Sequence, residues 1–171
     1  MLPLRFPVAV IMHRIPLANR WASERWEATA IEVDAGGRPE CTLLSDGPAG
    51  TRWRCGGHAI ELHPTESEGY YLNTSAREPR VFVLWRMAEP EDPIEPRARP
   101  LIVTVSYGEA ARFLDAGEQV DAVAMPAAIL AALEAFVAAH YKPEPHKKGR
   151  RNELYEGTPA QVGGTRGERG R

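Results

Sequence analysis

The sequence contains only two cysteines and no run of 18 or more consecutive apolar residues. Two cysteines form at most one disulfide, and a chain of 171 residues can bury a core without cross-links, so we expect reduced thiols. The N-terminal apolar stretch is interrupted by Arg5, His13 and Arg14, which argues against a signal-peptide core and against a membrane-spanning helix. We therefore expect a cytoplasmic protein with no membrane partner.

Catalytic motifs are also missing. The sequence has no Walker A loop, no G-x-G-x-x-G, no H-E-x-x-H and no G-x-S-x-G, and its five histidines are scattered. Four carboxylates lie close together in the chain, namely Glu109, Asp115, Glu118 and Asp121. Helix capping and a solvated loop explain this group better than a catalytic site does. We therefore expect a protein that is not an enzyme.

Charge is distributed unevenly along the chain. Residues 1–140 carry 13 basic and 19 acidic side chains, whereas residues 141–171 carry 8 and 4 and contain all three lysines. We interpret residues 1–142 as one α+β domain and residues 143–171 as a flexible basic tail. The tail could contact nucleic acid, but the body has no basic stripe and the pI is about 6.2. We expect no nucleic-acid partner.

Alternation and turn residues predict a series of short strands. Phe6–Arg14 is apolar on both faces, which is typical of a strand buried on both sides or lining a barrel. Asp34–Gly37 predicts a hairpin turn between the second and third strands, and Gly56-Gly57 predicts another turn. The proline-rich segment 88–100 predicts a linker or an exposed loop. The remaining predicted strands are Trp26–Val33, Glu40–Leu44, Thr51–Cys55, His58–His63, Gly69–Asn73, Arg80–Met87 and Leu101–Val105.

Two helices are predicted near the C-terminal end of the domain. Ser106 and Glu109 have the spacing of a capping box, which predicts a helix over Tyr107–Asp115 that is closed by Gly117. After a loop at residues 118–121, Pro126 predicts the first turn of a second helix. Its apolar face comprises Ile129, Leu130, Leu133, Phe136, Val137 and His140. The fold class is therefore α+β, a bent antiparallel sheet or partly closed β-barrel of six to eight strands covered by two C-terminal helices.

One set of side chains has the donor types of a zinc site. Its members are Cys41, Cys55, His58 and His63. Zinc sites usually contain two close pairs of ligands, whereas Cys41 stands alone and Cys55 alternates with arginines. Core packing and hairpin geometry explain these residues better, so we expect no metal and no cofactor.

The strongest candidate for a binding surface is a cluster of tryptophan and arginine. Broad rings and planar guanidinium groups are enriched in the energetic centres of protein interfaces. If the two parts of the cluster are adjacent, they form a cationic aromatic face on an acidic body, suited to an acidic protein surface. The alternative is core packing with arginine stems lying along it. The first part is Arg14, Arg20, Trp21, Arg25 and Trp26, and the second is Arg52, Trp53 and Arg54.

The order of several segments resembles a known family. Pro7–Met12, Pro16–Trp21 and Val105–Asp121 are similar to the corresponding segments of DUF3305, a family of uncharacterised bacterial proteins, and the similarity covers about residues 6–145. Genes of this family often lie near those of molybdenum-dependent formate dehydrogenases. The resemblance implies an accessory protein that assists the biogenesis of such an enzyme, with a formate dehydrogenase subunit or another maturation factor as its partner. The resemblance supplies no catalytic residues. The alternatives are a small enzyme of molybdenum-cofactor maturation that acts on a nucleotide or pterin, and a metal-binding structural protein.

Overall fold

The computed structural model describes residues 4–145, which form seven strands and three α-helices. The predicted tail falls almost entirely outside this range. None of the helices in the described part of the chain is long and apolar enough to cross a membrane. The elements are β1 (Leu4–Pro16), β2 (Glu24–Val33), β3 (Cys41–Gly47), β4 (Gly50–Leu62), α1 (Ser67–Thr74), β5 (Arg80–Met87), β6 (Ala98–Thr104), α2 (Tyr107–Asp115), β7 (Gln119–Ala124) and α3 (Ala127–His140).

The strands form two antiparallel sheets around one core. The first sheet has the order β2-β1-β4-β3 and the second has the order β6-β5-β7. β2 lies against β7 and β4 against β6, but no ladder joins the two sheets within residues 4–145. The prediction of an α+β fold with six to eight antiparallel strands is confirmed. The prediction of a single bent sheet or partly closed barrel is wrong.

A side chain on β7 links the two sheets at a place where backbone pairing would be needed to close them into a barrel. One carboxylate oxygen of Asp121 on β7 accepts hydrogen bonds from the Ala28 N–H on β2 and from the Trp85 indole N–H on β5, each at 2.8 Å. The Ala28 amide therefore bonds to a carboxylate rather than to a neighbouring strand. The two sheets are thus linked here by side-chain hydrogen bonds.

Strand β1 is buried on both faces, as its composition predicts. Val8, Val10 and Met12 point into the core, and Ala9 and Ile11 are also buried. Because side chains on both faces of β1 are shielded from water, both faces carry apolar residues.

Two of the predicted turns are wrong. β2 and β3 lie at opposite edges of the sheet and do not form a hairpin. Gly56-Gly57 lies inside the continuous strand β4, at a point where the register against β1 shifts. Loop residues approach so closely that a Cβ at Gly56 would lie 2.6 Å from the Arg38 carbonyl oxygen and one at Gly57 would lie 2.4 Å from Pro39. The glycines therefore allow a loop to pack on the strand rather than reversing the chain.

Gly69–Asn73 forms part of α1, so the predicted strand is wrong there. The Asn73 side chain is fully buried. It donates to the carbonyls of Arg80 and Val105 at 2.7 and 2.8 Å and accepts from the Arg80 N–H at 2.9 Å. Its amide fixes the helix to the start of β5 and the end of β6. These long-range bonds override the strand preference of the paired tyrosines within the segment.

Helix α2 occupies the predicted residues. The Ser106 hydroxyl accepts from the Glu109 N–H at 3.2 Å, as the capping box predicts. In a capping box the Glu109 carboxylate would also accept from the Ser106 N–H. Here Thr104 lies between these two groups: its hydroxyl accepts from the Ser106 N–H at 3.1 Å and donates to the Glu109 carboxylate. Gly117 has a φ of +80° beyond the helix end, which accounts for glycine at this position.

Residues 119–124 form β7, so the predicted loop over residues 118–121 is wrong. The strand is held by pairing with β5, for example Val81 with Val123 and Val83 with Asp121. The predicted second helix is confirmed as α3, with Pro126 just before it. Its buried residues are Ile129, Leu133 and Phe136.

The proline-rich segment is a loop that connects β5 and β6 of one sheet, rather than a linker between domains. It is shorter than predicted, because β6 begins at Ala98. The Arg97 guanidinium donates to the carbonyls of Ala88 at 3.3 Å, Glu89 at 2.9 Å and Asp92. One side chain thus fastens a loop whose prolines lack N–H donors.

Candidate protein-binding site

Trp21 lies on the loop between β1 and β2 and is 89% exposed. The loop is built around the Asn19 side chain, whose oxygen accepts from the N–H groups of Trp21 at 3.0 Å and Ala22 at 2.8 Å. A further bond from the Leu17 N–H to the Ser23 carbonyl at 2.9 Å closes its base. An asparagine turn of this kind fixes the backbone while the indole stays in water.

The other two tryptophans of the predicted cluster are core residues. Trp26 and Trp53 are 7% and 6% exposed, and their rings stack with centroids 5.3 Å apart. Arg14 places its guanidinium 5.9 Å from the Trp26 centroid and 5.5 Å from that of Trp53. The same group donates to the Thr51 hydroxyl at 2.9 Å. Trp26 and Trp53 therefore pack in the core, which agrees with the alternative of core packing. The Arg14 guanidinium makes a cation–π contact with both rings.

Three arginines of the cluster lie near carboxylates. Arg14 lies 3.8 Å from Glu24, and Arg25 lies 3.6 Å from Glu27. Arg54 contacts Glu32 at 2.8 Å and Asp34 at 3.0 Å, and the hydrogen bonds that it donates to Asp34 and Glu32 raise its pKa. These contacts compensate much of the positive charge that the sequence suggested for this face.

Arg20 and Arg52 differ from those three arginines. Both are exposed, and within residues 4–145 neither lies in an ion pair. Arg20 directly precedes Trp21 on the same loop, and both residues are exposed. The partner-binding role of the cluster stays a prediction, and the geometry concentrates it on Arg20 and Trp21.

Two connecting segments meet at one end of the molecule, which we call the loop end: the 17–23 loop and the 47–50 turn. Arg14 pairs with Trp26 on one side and with Thr51 on the other, so both segments lie at the same end of their sheet.

Exposed apolar side chains accompany these loops. Leu43 and Leu44, on the edge strand β3 that leads into the 47–50 turn, are 60% and 51% exposed, and Trp21 is exposed on the 17–23 loop. Large apolar groups that remain in water near one end of a domain are typical of a protein-binding surface.

The four predicted metal donors do not meet at one point. Cys41 and Cys55 face each other across β3 and β4 and are joined by a disulfide, so the expectation of reduced thiols was wrong. His58 pairs with Val8 further along β4, and His63 follows that strand beside Glu61 at 3.6 Å. Residues 4–145 contain no group of three or more His, Cys, Asp or Glu side chains that could hold a metal ion.

The four clustered carboxylates are dispersed by the fold. Glu109 belongs to the helix cap and Asp121 to the bridge between the sheets. Glu118 pairs with Arg86 at 2.9 Å, and this hydrogen bond lowers the pKa of the carboxyl group. Asp115 is exposed at the end of α2. Their arrangement provides no paired acid and base.

A polar cluster that the sequence did not indicate joins the start of α1 to α2. The Ser106 hydroxyl donates to Glu66 at 2.8 Å, and Arg112 donates to the other oxygen of Glu66 at 2.9 Å. Ser106 is fully buried, and a Cβ at Gly69 would lie 2.3 Å from its hydroxyl oxygen. The hydrogen bonds of the buried Ser106 hydroxyl and of Arg112 to Glu66 hold the start of α1 against α2. Glu66 and Ser106 are 40 residues apart, so only the fold reveals their contact.

Comparison with known proteins points to a family but to no activity. Neither the curated proteins nor the solved structures gave a match to this chain. The model of the family described as "Protein of unknown function (DUF3305)" matches residues 7–150, which include every strand from β2 onward, all three helices and nearly all of β1. The chain therefore belongs to the DUF3305 family.

Proposed function

We propose that this chain is a non-enzymatic accessory protein of the cytoplasm that binds a protein partner through its loop end. The observation that carries the proposal is the 89% exposure of Trp21 on a loop fixed by Asn19. Folding alone gives no reason to hold an indole ring in water, since burying it would stabilise the chain.

The loop is suited to binding because it is ordered before the partner arrives. Two backbone hydrogen bonds to Asn19 fix the residues around Trp21, so association would cost little backbone entropy. Arg20, the preceding residue, adds an exposed cation to the same loop. A complementary surface would offer an apolar pocket for the indole with a carboxylate at its rim.

For the partner we propose a subunit or maturation factor of a molybdenum-dependent formate dehydrogenase. The support is the family resemblance, because genes of this family often lie near those of such enzymes. An accessory protein needs a docking surface rather than a catalytic site, and the loop end offers exposed apolar groups beside Arg20.

The proposal is tested by capture from the native bacterium. Tagged wild-type chain, Trp21→Ala and Leu72→Ala are each expressed there, and formate dehydrogenase subunits in the captured material are quantified by mass spectrometry. Leu72 is the matched control because it is 51% exposed on α1, away from the loop end. We expect Trp21→Ala to lose at least nine-tenths of the captured subunits and Leu72→Ala to retain them. Equal capture by all three proteins would contradict the proposal.

A further inference from the structure

The two cysteines lie directly opposite each other on β3 and β4. Their Cα atoms are 4.0 Å apart, and the disulfide spans 14 positions of the sequence. Cys55 is fully buried in the core, whereas Cys41 is partly exposed at the start of the edge strand. One sulfur of the bridge thus belongs to a residue near solvent and the other to a residue of the core.

Strand β3 has few other attachments. Within residues 4–145 it pairs only with β4, and residues 42–47 are all exposed, including Leu43 and Leu44. Within this strand, Cys41 alone is partly buried against the core. The disulfide is therefore the main tertiary link that fixes this edge strand, beyond its backbone ladder and the bond between Asp46 and Thr51.

The rest of the domain does not need the bridge. Each sheet carries its own ladders, and the core is built from apolar residues of both sheets and of the helices. A buried thiol at Cys55 behaves as a small apolar side chain and can stay in place after reduction. Because the β3–β4 ladder keeps the two cysteines opposite each other, reoxidation needs no search for a partner.

We propose that Cys41 and Cys55 form a reversible thiol–disulfide site whose oxidation state controls how firmly β3 is held. A thiolate of a dithiol reductant, such as a thioredoxin-type protein, attacks the Cys41 sulfur, and Cys55 leaves as a thiolate that takes up a proton. The second thiol of the reductant then displaces Cys41 from the mixed disulfide. The chain gains two electrons and two protons, and the reductant becomes a disulfide.

The location that we propose for the protein fits this chemistry. Disulfides in cytoplasmic proteins are mainly transient or redox-sensing, because thiol systems there keep most cysteines reduced. A bridge on an edge strand, with one partly exposed cysteine, is open to such exchange. The exchange chemistry is independent of the partner-binding function. Any effect of the exchange on partner binding rests on that proposed function. The structural link is that β3 leads into the loop end through the 47–50 turn.

The test uses the full chain in its native state and requires no partner. The protein is equilibrated with dithiothreitol or with oxidised glutathione, then acid-quenched and alkylated in denaturant, so that buried thiols are also counted by intact mass. We expect no free thiol after oxidation and two after reduction, with the near-ultraviolet circular dichroism of the tryptophans retained. Hydrogen exchange of the β3 amides should be at least tenfold faster in the reduced chain, with β1 amides changed less than twofold.

Cys41→Ser provides the matched variant. It should show fast exchange of the β3 amides under both conditions, because it cannot form the bridge. A disulfide that opens only after denaturation would overturn the proposal, and so would two thiols that stay free in oxidised glutathione. Equal exchange of β3 in both redox states would also overturn it. These outcomes leave the test of Trp21 in partner capture unaffected.

Discussion

Trp26 and Trp53 belong to strands that are not neighbours, and their indole rings stack across the strand between them with centroids 5.3 Å apart. Arg14 on that middle strand contacts both rings and the Thr51 hydroxyl. The tryptophans of the sequence cluster thus divide by role, with two in the core and Trp21 in solvent.

This division predicts different effects of alanine substitution on stability. Trp53→Ala removes a buried ring together with its stacking contact with Trp26, so we expect a loss of about 3–5 kcal/mol in the free energy of unfolding. Trp21→Ala should change it by less than about 0.5 kcal/mol, because that side chain is 89% exposed. Urea unfolding followed by far-ultraviolet circular dichroism measures both. Similar losses for the two variants would show that Trp21 packs against the domain.

The bridge at Asp121 predicts a graded effect of two substitutions. Asp121→Ala leaves the Ala28 N–H and the Trp85 indole N–H without their acceptor. We expect a loss of about 1–3 kcal/mol in the free energy of unfolding. Asp121→Asn keeps one acceptor oxygen and should lose less. Thermal and urea unfolding of the three proteins check the order, and an Asn variant as unstable as the Ala variant would contradict it.

His58 predicts a dependence of stability on pH. Burial, with a smaller contribution from Arg99, lowers the pKa of this imidazole below its usual value in the folded chain. The neutral form is therefore favoured by folding, and this stability is fully present above about pH 6.5, the pKa expected in the unfolded chain. As pH falls below that value the unfolded chain takes up the proton first, so stability is lost until pH passes below the folded pKa.

The non-titrating variant His58→Gln isolates this effect. The free energy of unfolding of each protein is measured by urea titration from pH 7.5 to 5.0, and the difference between them is plotted against pH. Other histidines are common to both proteins and cancel in that difference. We expect the wild-type chain to lose more stability than the variant on acidification. A difference that does not change with pH would contradict the shifted pKa.

Local signals in the sequence predicted the elements that local interactions specify. The Ser106 cap and Gly117 defined α2, and the spacing of Ile129, Leu133 and Phe136 defined α3. Strand β1 followed from its apolar residues on both faces. In each case the determining residues lie within a few positions of one another.

The errors arose where distant contacts decide the structure. Helix α1 depends on Asn73, which bonds to Arg80 at the start of β5 and to Val105 after β6, and β7 is held by pairing with β5. Gly56-Gly57 resembles a turn, but its role is to let the loop at Pro39 approach the strand. The disulfide needs the register of β3 against β4, which includes a bulge. None of these contacts has a signal in the local sequence.

The candidate site was predicted in composition but not in exposure. Trp21 and Trp26 are five positions apart and look equivalent in the sequence, yet one is in water and the other is in the core. The difference comes from the Asn19 turn and from the pairing of Trp26 with Arg14, both of which depend on where β1 ends and β2 begins.

Partner binding through Trp21 is tested most directly by the dissociation constant for purified molybdenum-dependent formate dehydrogenase, measured by titration calorimetry with wild-type chain, Trp21→Ala and Leu72→Ala. Loss of an interface tryptophan commonly costs at least about 2 kcal/mol, which corresponds to a Kd about 30-fold higher. We predict that increase for Trp21→Ala and less than a twofold change for Leu72→Ala. A Kd for Trp21→Ala within twofold of the wild-type value would contradict binding through Trp21, and no binding by the wild-type chain would contradict the enzyme itself as the partner.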